Sequence, residues 1–362
     1  MQNIVEKLRT DTVLGRYAPK LVYVLSGGAA KGFCHLGMIE RLEKSGIRPD
    51  LVVGTSAGAL FGALYCHFGS IDGASARVEE VLASDEFRAF KRKYFGGSSR
   101  RGDPVRGRMM AFLASMAGTL KSSVRLGKAM VTTSMVTQKD ALSLFHRIFN
   151  GITFASLKIP FAAVAVDLAT GCPAVFSGPR KDHAAGSGRL PPEQCSLVKA
   201  VMASSAIPLI FPAVQIDGRP HVDGYIMANL PIREAGALLP GEMVLFAGFD
   251  VSAPVGPMEE DPTPVDLARR LIELATRSRQ SADNALADVL FQPVDRQYHW
   301  SSFSEYRQLF DLGAEYMSAE RSATLSAAFL SRCQAAVQRE ASFARRVRAR
   351  ARLRPVLKDC RG

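Results

Sequence analysis

Two short apolar runs, each closed by small residues and followed by helical spacing, constrain this chain more than any other feature. Residues 21–25 (LVYVL) end at Ser26-Gly27-Gly28, and residues 33–44 follow with helical periodicity before Gly46. Residues 51–53 then enter a second tight turn, and residues 57–68 form an apolar, small-residue helix. An apolar run without alternation, followed by a turn and a helix, marks a strand buried on both faces with its crossover. Repeated, that unit demands a parallel sheet covered by helices. The fold class expected is α/β, with a mostly parallel central sheet, helices on both faces and a helical C-terminal extension.

The rest of the chain extends this plan. Residues 70–150 read as mainly helical, with a basic, turn-rich excursion over about 84–108 expected on the surface. Residues 161–166 and 174–176 read as strands flanking Thr170-Gly171, and residues 196–205 as a helix ending before Pro208. The pair Asp217-Gly218 between 214–216 and 221–222 is a hairpin signal. Residues 243–249 are a further buried strand, and 254–264 a proline-rich linker. A helix over 265–286, a strand over 288–292 and largely helical chain over 305–332 follow. The expected organisation is a lead segment 1–20, a main domain 21–253, a mainly helical region 254–344 packing on it, and a basic tail 345–362. Arginines at every second position from Arg346 to Arg354 would spread charge round all faces of a helix, so the tail is expected to be flexible.

Composition excludes several classes. Of 362 residues 47% are hydrophobic, enough for a sizeable core and too many for a disordered chain. No run of about 18 apolar residues is present to span a membrane. The mixed, charged start does not read as a secretory signal. Six scattered cysteines lack metal-ligand spacing and fit a reduced, cytoplasmic chain, so no metal site is expected. The formal charge of +12 is local: residues 84–108 carry +5 and residues 339–362 carry +7. A neutral body with two basic attachments suits peripheral contact with an anionic membrane surface. Nucleic-acid binding is not expected, since neither a reading motif nor interleaved aromatics accompany the charge. Oligomeric state is not legible.

The chemistry concentrates in three places. Gly54-Thr55-Ser56-Ala57-Gly58 has the form G-x-S-x-G between an apolar strand and a helix. At such an elbow the serine hydroxyl projects from a sharp turn beside a helix N-terminus. Gly27-Gly28-Ala29-Ala30-Lys31-Gly32 also joins a strand to a helix, and its small residues can aim several amides at one oxyanion. A phosphate loop is the rival, but Lys31 precedes Gly32 where a Walker pattern needs Gly-Lys-Ser/Thr. His221-Val222-Asp223-Gly224, after a hairpin strand, reads by itself as a turn.

Together these blocks closely resemble the patatin-like phospholipases, a family similar in plan to cytosolic phospholipase A2. There a G-G-G-x-[K/R]-G loop precedes a G-x-S-x-G elbow, and an Asp-Gly motif comes later. The resemblance extends over roughly 21–234, through His35-Leu36-Gly37, Val166-Asp167-Leu168-Ala169-Thr170-Gly171, Ala203-Ser204-Ser205-Ala206-Ile207-Pro208 and Asn229-Leu230-Pro231. It implies a lipid acyl hydrolase in which Ser56 is the nucleophile and Asp223 its general base. Amides of the glycine loop would form the oxyanion hole, with no cofactor and with phospholipid or another acyl-ester lipid as substrate. Two positions depart from the pattern. Ala29 replaces the third glycine, which would cost strain at positive φ, and Tyr225 follows Asp223-Gly224, where it would narrow the acyl entrance.

Other readings stay open at this level. A Ser–His–Asp esterase would recruit Asp223 with His299 or His221, while His35 reads as structural. A catalytically silent lipid- or partner-binding protein has the same residue content. Met109, Phe112, Leu113 and Met116 are helix-spaced beside Arg106 and Arg108 and suit either an interfacial or a core helix.

Overall fold

The fold is described from a computed structural model over residues 4–11, 15–95, 134–178, 195–256, 264–294, 298 and 302–359. β1 (Lys20–Leu25) lies near the middle of one eight-stranded sheet, parallel to β2 (Leu51–Thr55) and β7 (Val244–Phe249). β2 runs parallel to β3 (Phe161–Asp167), and β7 parallel to β8 (Val289–Phe291). β3 also pairs antiparallel with β4 (Cys172–Ser177) and β6 (Arg219–Asp223), and β6 with β5 (Val214–Ile216). The expected hairpin turn is present. Asp217 and Gly218 both have positive φ, 51° and 70°, as a two-residue turn of this twist requires.

The uninterrupted apolar strands are explained by burial on both faces. Val22, Val24 and Val53 pack with Leu230, Ile232 and Leu238 of the α8 side of the sheet (α8, Ile232–Ala237). Leu21, Tyr23, Leu25 and Val52 face the larger core beneath α2 (Phe33–Lys44) and α3 (Ala57–Phe68). The intervening and following helices are α1 (Ile4–Thr10), α4 (Ile71–Ala83), α5 (Asp85–Phe95), α6 (Gln138–Phe149) and α7 (Leu197–Ser204).

The register of β3 positions the site. A strand has two edges, and β4 occupies one of them from Ala162 to Asp167. On the other edge β2 pairs up to Thr55 opposite Val164, and β6 takes over with Asp223 opposite Ala165. The end of β2 and the end of β6 therefore meet head to head, and the residues just at those ends become neighbours.

Past the sheet come α9 (Pro264–Asn284), α10 (Tyr306–Tyr316), which packs on α2, and α11 (Ala319–Asp359). α11 runs through the arginine-rich stretch where a flexible tail is expected. From 319 to 359 there is no glycine, and Ala, Arg and Leu dominate, so helix propensity outweighs the absence of an amphipathic stripe. Its first half buries Leu325, Phe329 and Cys333, and the Arg9 guanidinium of α1 lies 5.5 Å over the Phe329 ring.

The basic stretch at 84–108 also differs from a plain surface excursion. Its first part is α5, which buries Phe90 and Tyr94 and ties Lys93 to Asp140 of α6 at 2.6 Å. The remainder, with Met109, Phe112, Leu113 and Met116, lies outside the described residues. Among the described residues no helix is long and apolar enough to cross a membrane.

Candidate active site

Ser56 sits between β2 and α3 at φ 54°, ψ −120°, a conformation L-residues rarely adopt. The turn closes only because its flanks lack side chains. A Cβ at Gly54 would lie 2.4 Å from the Gly58 carbonyl carbon, and one at Gly58 would lie 2.3 Å from the Leu25 carbonyl oxygen. Surrounding bonds hold the strained residue in place. The Ser56 amide donates to Ser204 Oγ at 2.9 Å, and that hydroxyl donates onward to the Val164 carbonyl at 2.6 Å. Ser205 Oγ donates to the Ser56 carbonyl at 3.3 Å.

Asp223 ends β6 opposite Ala165, and its carboxylate faces Ser56. Ser56 Oγ donates to Asp223 Oδ2 at 2.6 Å, while Oδ1 accepts the Tyr225 amide at 2.8 Å. The residue is 1% exposed, and among the described residues no cation is bonded to its carboxyl. Burial drives its pKa up to about 7, against the opposing pull of the bonds from Ser56 and Tyr225. A base titrating near neutrality is suited to accepting and returning a serine proton.

The glycine loop lies against the elbow. Gly27 leaves no room for a side chain, since a Cβ there would lie 3.1 Å from Ser56 Cβ. Its six residues do not contribute equally. The Gly27 amide is taken by Asn229 Oδ1 at 3.0 Å, the Lys31 amide donates to the Gly28 carbonyl, and Gly32 closes the short 3-10 turn Ala29–Gly32. The amides of Gly28, Ala29 and Ala30 meet no acceptor among the described residues. Ala29 has φ 50°, so the alanine is strained there. The Lys31 ammonium is held below its usual range by burial and then by the charge of Arg277.

His35 and His221 stand apart from this pair. His35 is buried, donates from Nε2 to the Ser26 carbonyl at 2.9 Å, and is pushed down to about 4 by burial, so it stays neutral. His221 donates from Nδ1 to the Arg219 carbonyl at 3.0 Å and packs its ring on Phe176, with no bond to Ser56 or Asp223. His299 lies outside the described residues.

Ser56 opens on a cavity of about 130 Å³ between α3, α4, α5 and α6. Leucine, isoleucine, valine and phenylalanine line it, among them Leu60, Phe90, Phe145 and Phe211, and its polar lining residues are Ser56 and Ser205. Tyr225 is not part of this lining. It belongs to the short 3-10 turn Gly224–Ile226, which packs on α9, and burial raises its phenol above the usual range. Sequence reading missed the supporting roles of Ser204, Ser205 and Asn229. The blocks that hold them were visible, but nothing local says which backbone group each side chain will reach.

Comparison with known proteins bears on the same region. Neuropathy target esterase sws of Drosophila grimshawi is 26% identical over 210 residues, which is 58% of this chain and 11% of that protein. Patatin-like phospholipase domain-containing protein 6 of Homo sapiens is 41% identical over 64 residues, 18% of this chain and 5% of that protein. This chain thus spans a small fraction of the curated relatives it matches. Among solved structures, human GIVD cytosolic phospholipase A2 aligns at 14% identity and a TM-score of 0.49, covering 91% of this chain and 63% of that one. Residues 23–235 match the family described as Patatin-like phospholipase. That span takes in more than half of the chain, from β1 into α8, and with it the glycine loop, the elbow and the Asp-Gly turn. The chain belongs to the patatin-like phospholipase family.

Proposed function

We propose that this protein is a lipid acyl hydrolase that cleaves fatty-acyl esters through Ser56 and Asp223. One observation carries the reading: the 2.6 Å bond from Ser56 Oγ to a buried Asp223 carboxylate, at an elbow opening on an apolar cavity. Asp223 takes the hydroxyl proton as Ser56 Oγ attacks the ester carbonyl. The oxyanion that forms is held by the amides of Gly28, Ala29 and Ala30, a kind of donor whose loss costs about 3 kcal/mol in transition-state binding. Collapse breaks the ester bond, and the departing alcohol or lysophospholipid takes the proton from Asp223. Water then attacks the acyl-enzyme, giving its proton to Asp223, and the free acid leaves as Ser56 recovers its hydrogen. The uncharged cavity suits the acyl chain rather than a head group, so phospholipid, lysophospholipid and simpler acyl esters all satisfy it.

A fluorophosphonate probe tests the nucleophile directly. The expected result is a single adduct on Ser56, with both labelling and p-nitrophenyl ester turnover absent from Ser56→Ala at unchanged circular dichroism. Turnover retained by Ser56→Ala would remove Ser56 from the mechanism.

A further inference from the structure

A buried hydroxyl stands behind the glycine loop. β1 runs apolar from Leu21 to Leu25, and the next residue, Ser26, is a wholly buried serine. A hydroxyl taken out of water needs bonding partners, and here both are backbone groups. The Val251 amide, just past β7, donates to Ser26 Oγ at 3.0 Å. The single hydroxyl proton is then left for the Gly27 carbonyl, which lies at 3.1 Å and can only accept. Ser26 does not line the cavity at Ser56, so anything it does for a substrate is done through the loop.

The successive peptide planes of the loop show what this bond fixes. In a planar trans peptide the C=O and the following N–H point opposite ways, so tying one aims the other. The plane joining Ser26 to Gly27 is tied at both ends. His35 Nε2 holds its carbonyl at 2.9 Å, and Asn229 Oδ1 holds its amide at 3.0 Å. The plane joining Gly28 to Ala29 is tied at its carbonyl by the Lys31 amide at 3.1 Å. The plane between them carries the Gly28 amide, and among the described residues its Gly27 carbonyl has the Ser26 hydroxyl as its donor and no other. Val251, which holds that hydroxyl, also packs against the loop: a Cβ at Gly28 would lie 2.6 Å from Val251 Cγ2.

We propose that Ser26 is a positioning residue, its hydroxyl holding the Gly27 carbonyl back so that the Gly28 amide is aimed at the oxyanion formed when Ser56 attacks an ester. This role rests on the hydrolase reading. A donor fixed in advance needs no reorganisation as charge develops, and its benefit falls on the transition state rather than on substrate binding.

The test compares the full chain with Ser26→Ala and Ser26→Cys on a p-nitrophenyl ester. Alanine removes the tie, and cysteine keeps the bulk but donates poorly. In both, kcat is expected to fall about tenfold to a hundredfold, less than outright loss of an oxyanion donor, with KM within about twofold. A trifluoromethyl ketone gives a readout that mere bracing of the fold would not move. Its carbonyl carbon bonds to Ser56 Oγ, the carbonyl electron pair becomes an oxyanion, and the serine proton passes to Asp223. Its Ki should rise by the factor by which kcat falls, whereas a fatty alcohol that only fills the cavity should bind unchanged. A kcat for Ser26→Ala within about twofold of the parent overturns the proposal. So does a loss confined to KM with the ketone Ki unmoved. Should Ser26→Ala fail to fold, Ser26→Cys decides by the same ratios. Absence of ester turnover from the parent chain defeats the hydrolase reading and this role with it, whereas parent turnover matched by both variants defeats this role alone.

Discussion

At the scale of single residues, the site trades stability for chemistry. Asp223 has a folded pKa of about 7 against an ordinary 3.8. Its native state therefore binds a proton more tightly than the unfolded chain, and stability falls as pH rises from about 4 to about 7. The difference amounts to roughly 4 kcal/mol at most, and it is fully felt above neutrality. Asp223→Asn should accordingly abolish turnover yet raise the thermal midpoint at pH 8, with the gap closing toward pH 4. In the unaltered protein kcat/KM should climb through about pH 7 and then level off. A rate flat from pH 5 to pH 8 would exclude Asp223 as the base. Ala29 carries a smaller strain at φ 50°. Ala29→Gly keeps the amide and relieves the left-handed clash, so urea unfolding should show a gain of up to about 1 kcal/mol, with turnover kept or mildly raised. A collapse of kcat would mean that the alanine itself is needed in the loop.

Among the elements, α3 connects Ser56 to the cavity. Leu60 stands one turn beyond Ser56, its amide donating to the Ser56 carbonyl at 3.0 Å and its side chain lining the cavity. A tryptophan there would fill space beside Ser56 without touching Asp223. Leu60→Trp should lower kcat/KM for long-chain p-nitrophenyl esters by about tenfold or more while sparing the acetate, since several buried methylenes lose their place. An unchanged ratio between long and short chains would show that acyl groups bind elsewhere. The same cavity explains why α5 departs from a plain basic excursion. Phe87 and Phe90 turn to the cavity, while Lys93 pairs outward with Asp140.

For the whole molecule, the basic tail and the proposed site lie far apart in sequence. The residues after Ala344 carry +7 of the formal +12 and lie far in sequence from Ser56 and Asp223. The part of α11 that packs Leu325, Phe329 and Cys333 precedes them. Truncation after Ala344 should therefore weaken binding to anionic vesicles most at low salt, each basic residue near the surface contributing about 1 kcal/mol. Soluble-ester kinetics should hardly move. Equal vesicle binding by the truncated chain would assign the tail another role, and a matched loss of soluble activity would mean that it braces the catalytic body.

Local sequence determined a good deal by itself. The continuous apolar runs at β1, β2 and β7, the small-residue turns after β1 and β2, and the Asp217-Gly218 hairpin are short-range facts of sterics and burial, and they were legible. So was the placement of Ser56 between a strand and a helix, because G-x-S-x-G states its own geometry. Long-range contacts were not legible in local spacing, and the pairing of Ser56 with Asp223 was expected only from the family resemblance. Ser56 and Asp223 are 167 residues apart, and they meet because β2 and β6 share one edge of β3 in one register. The division of the glycine loop into engaged and unengaged amides depends on Asn229, which arrives from beyond β6. The buried polar face of α9, where Gln280 meets Ser252 just past β7 and Asp283 meets Arg233 of α8, is set by distant partners, so its helical periodicity revealed a helix without revealing which side faced water. Periodicity reports what one segment can present, whereas register and packing between distant segments decide what it meets.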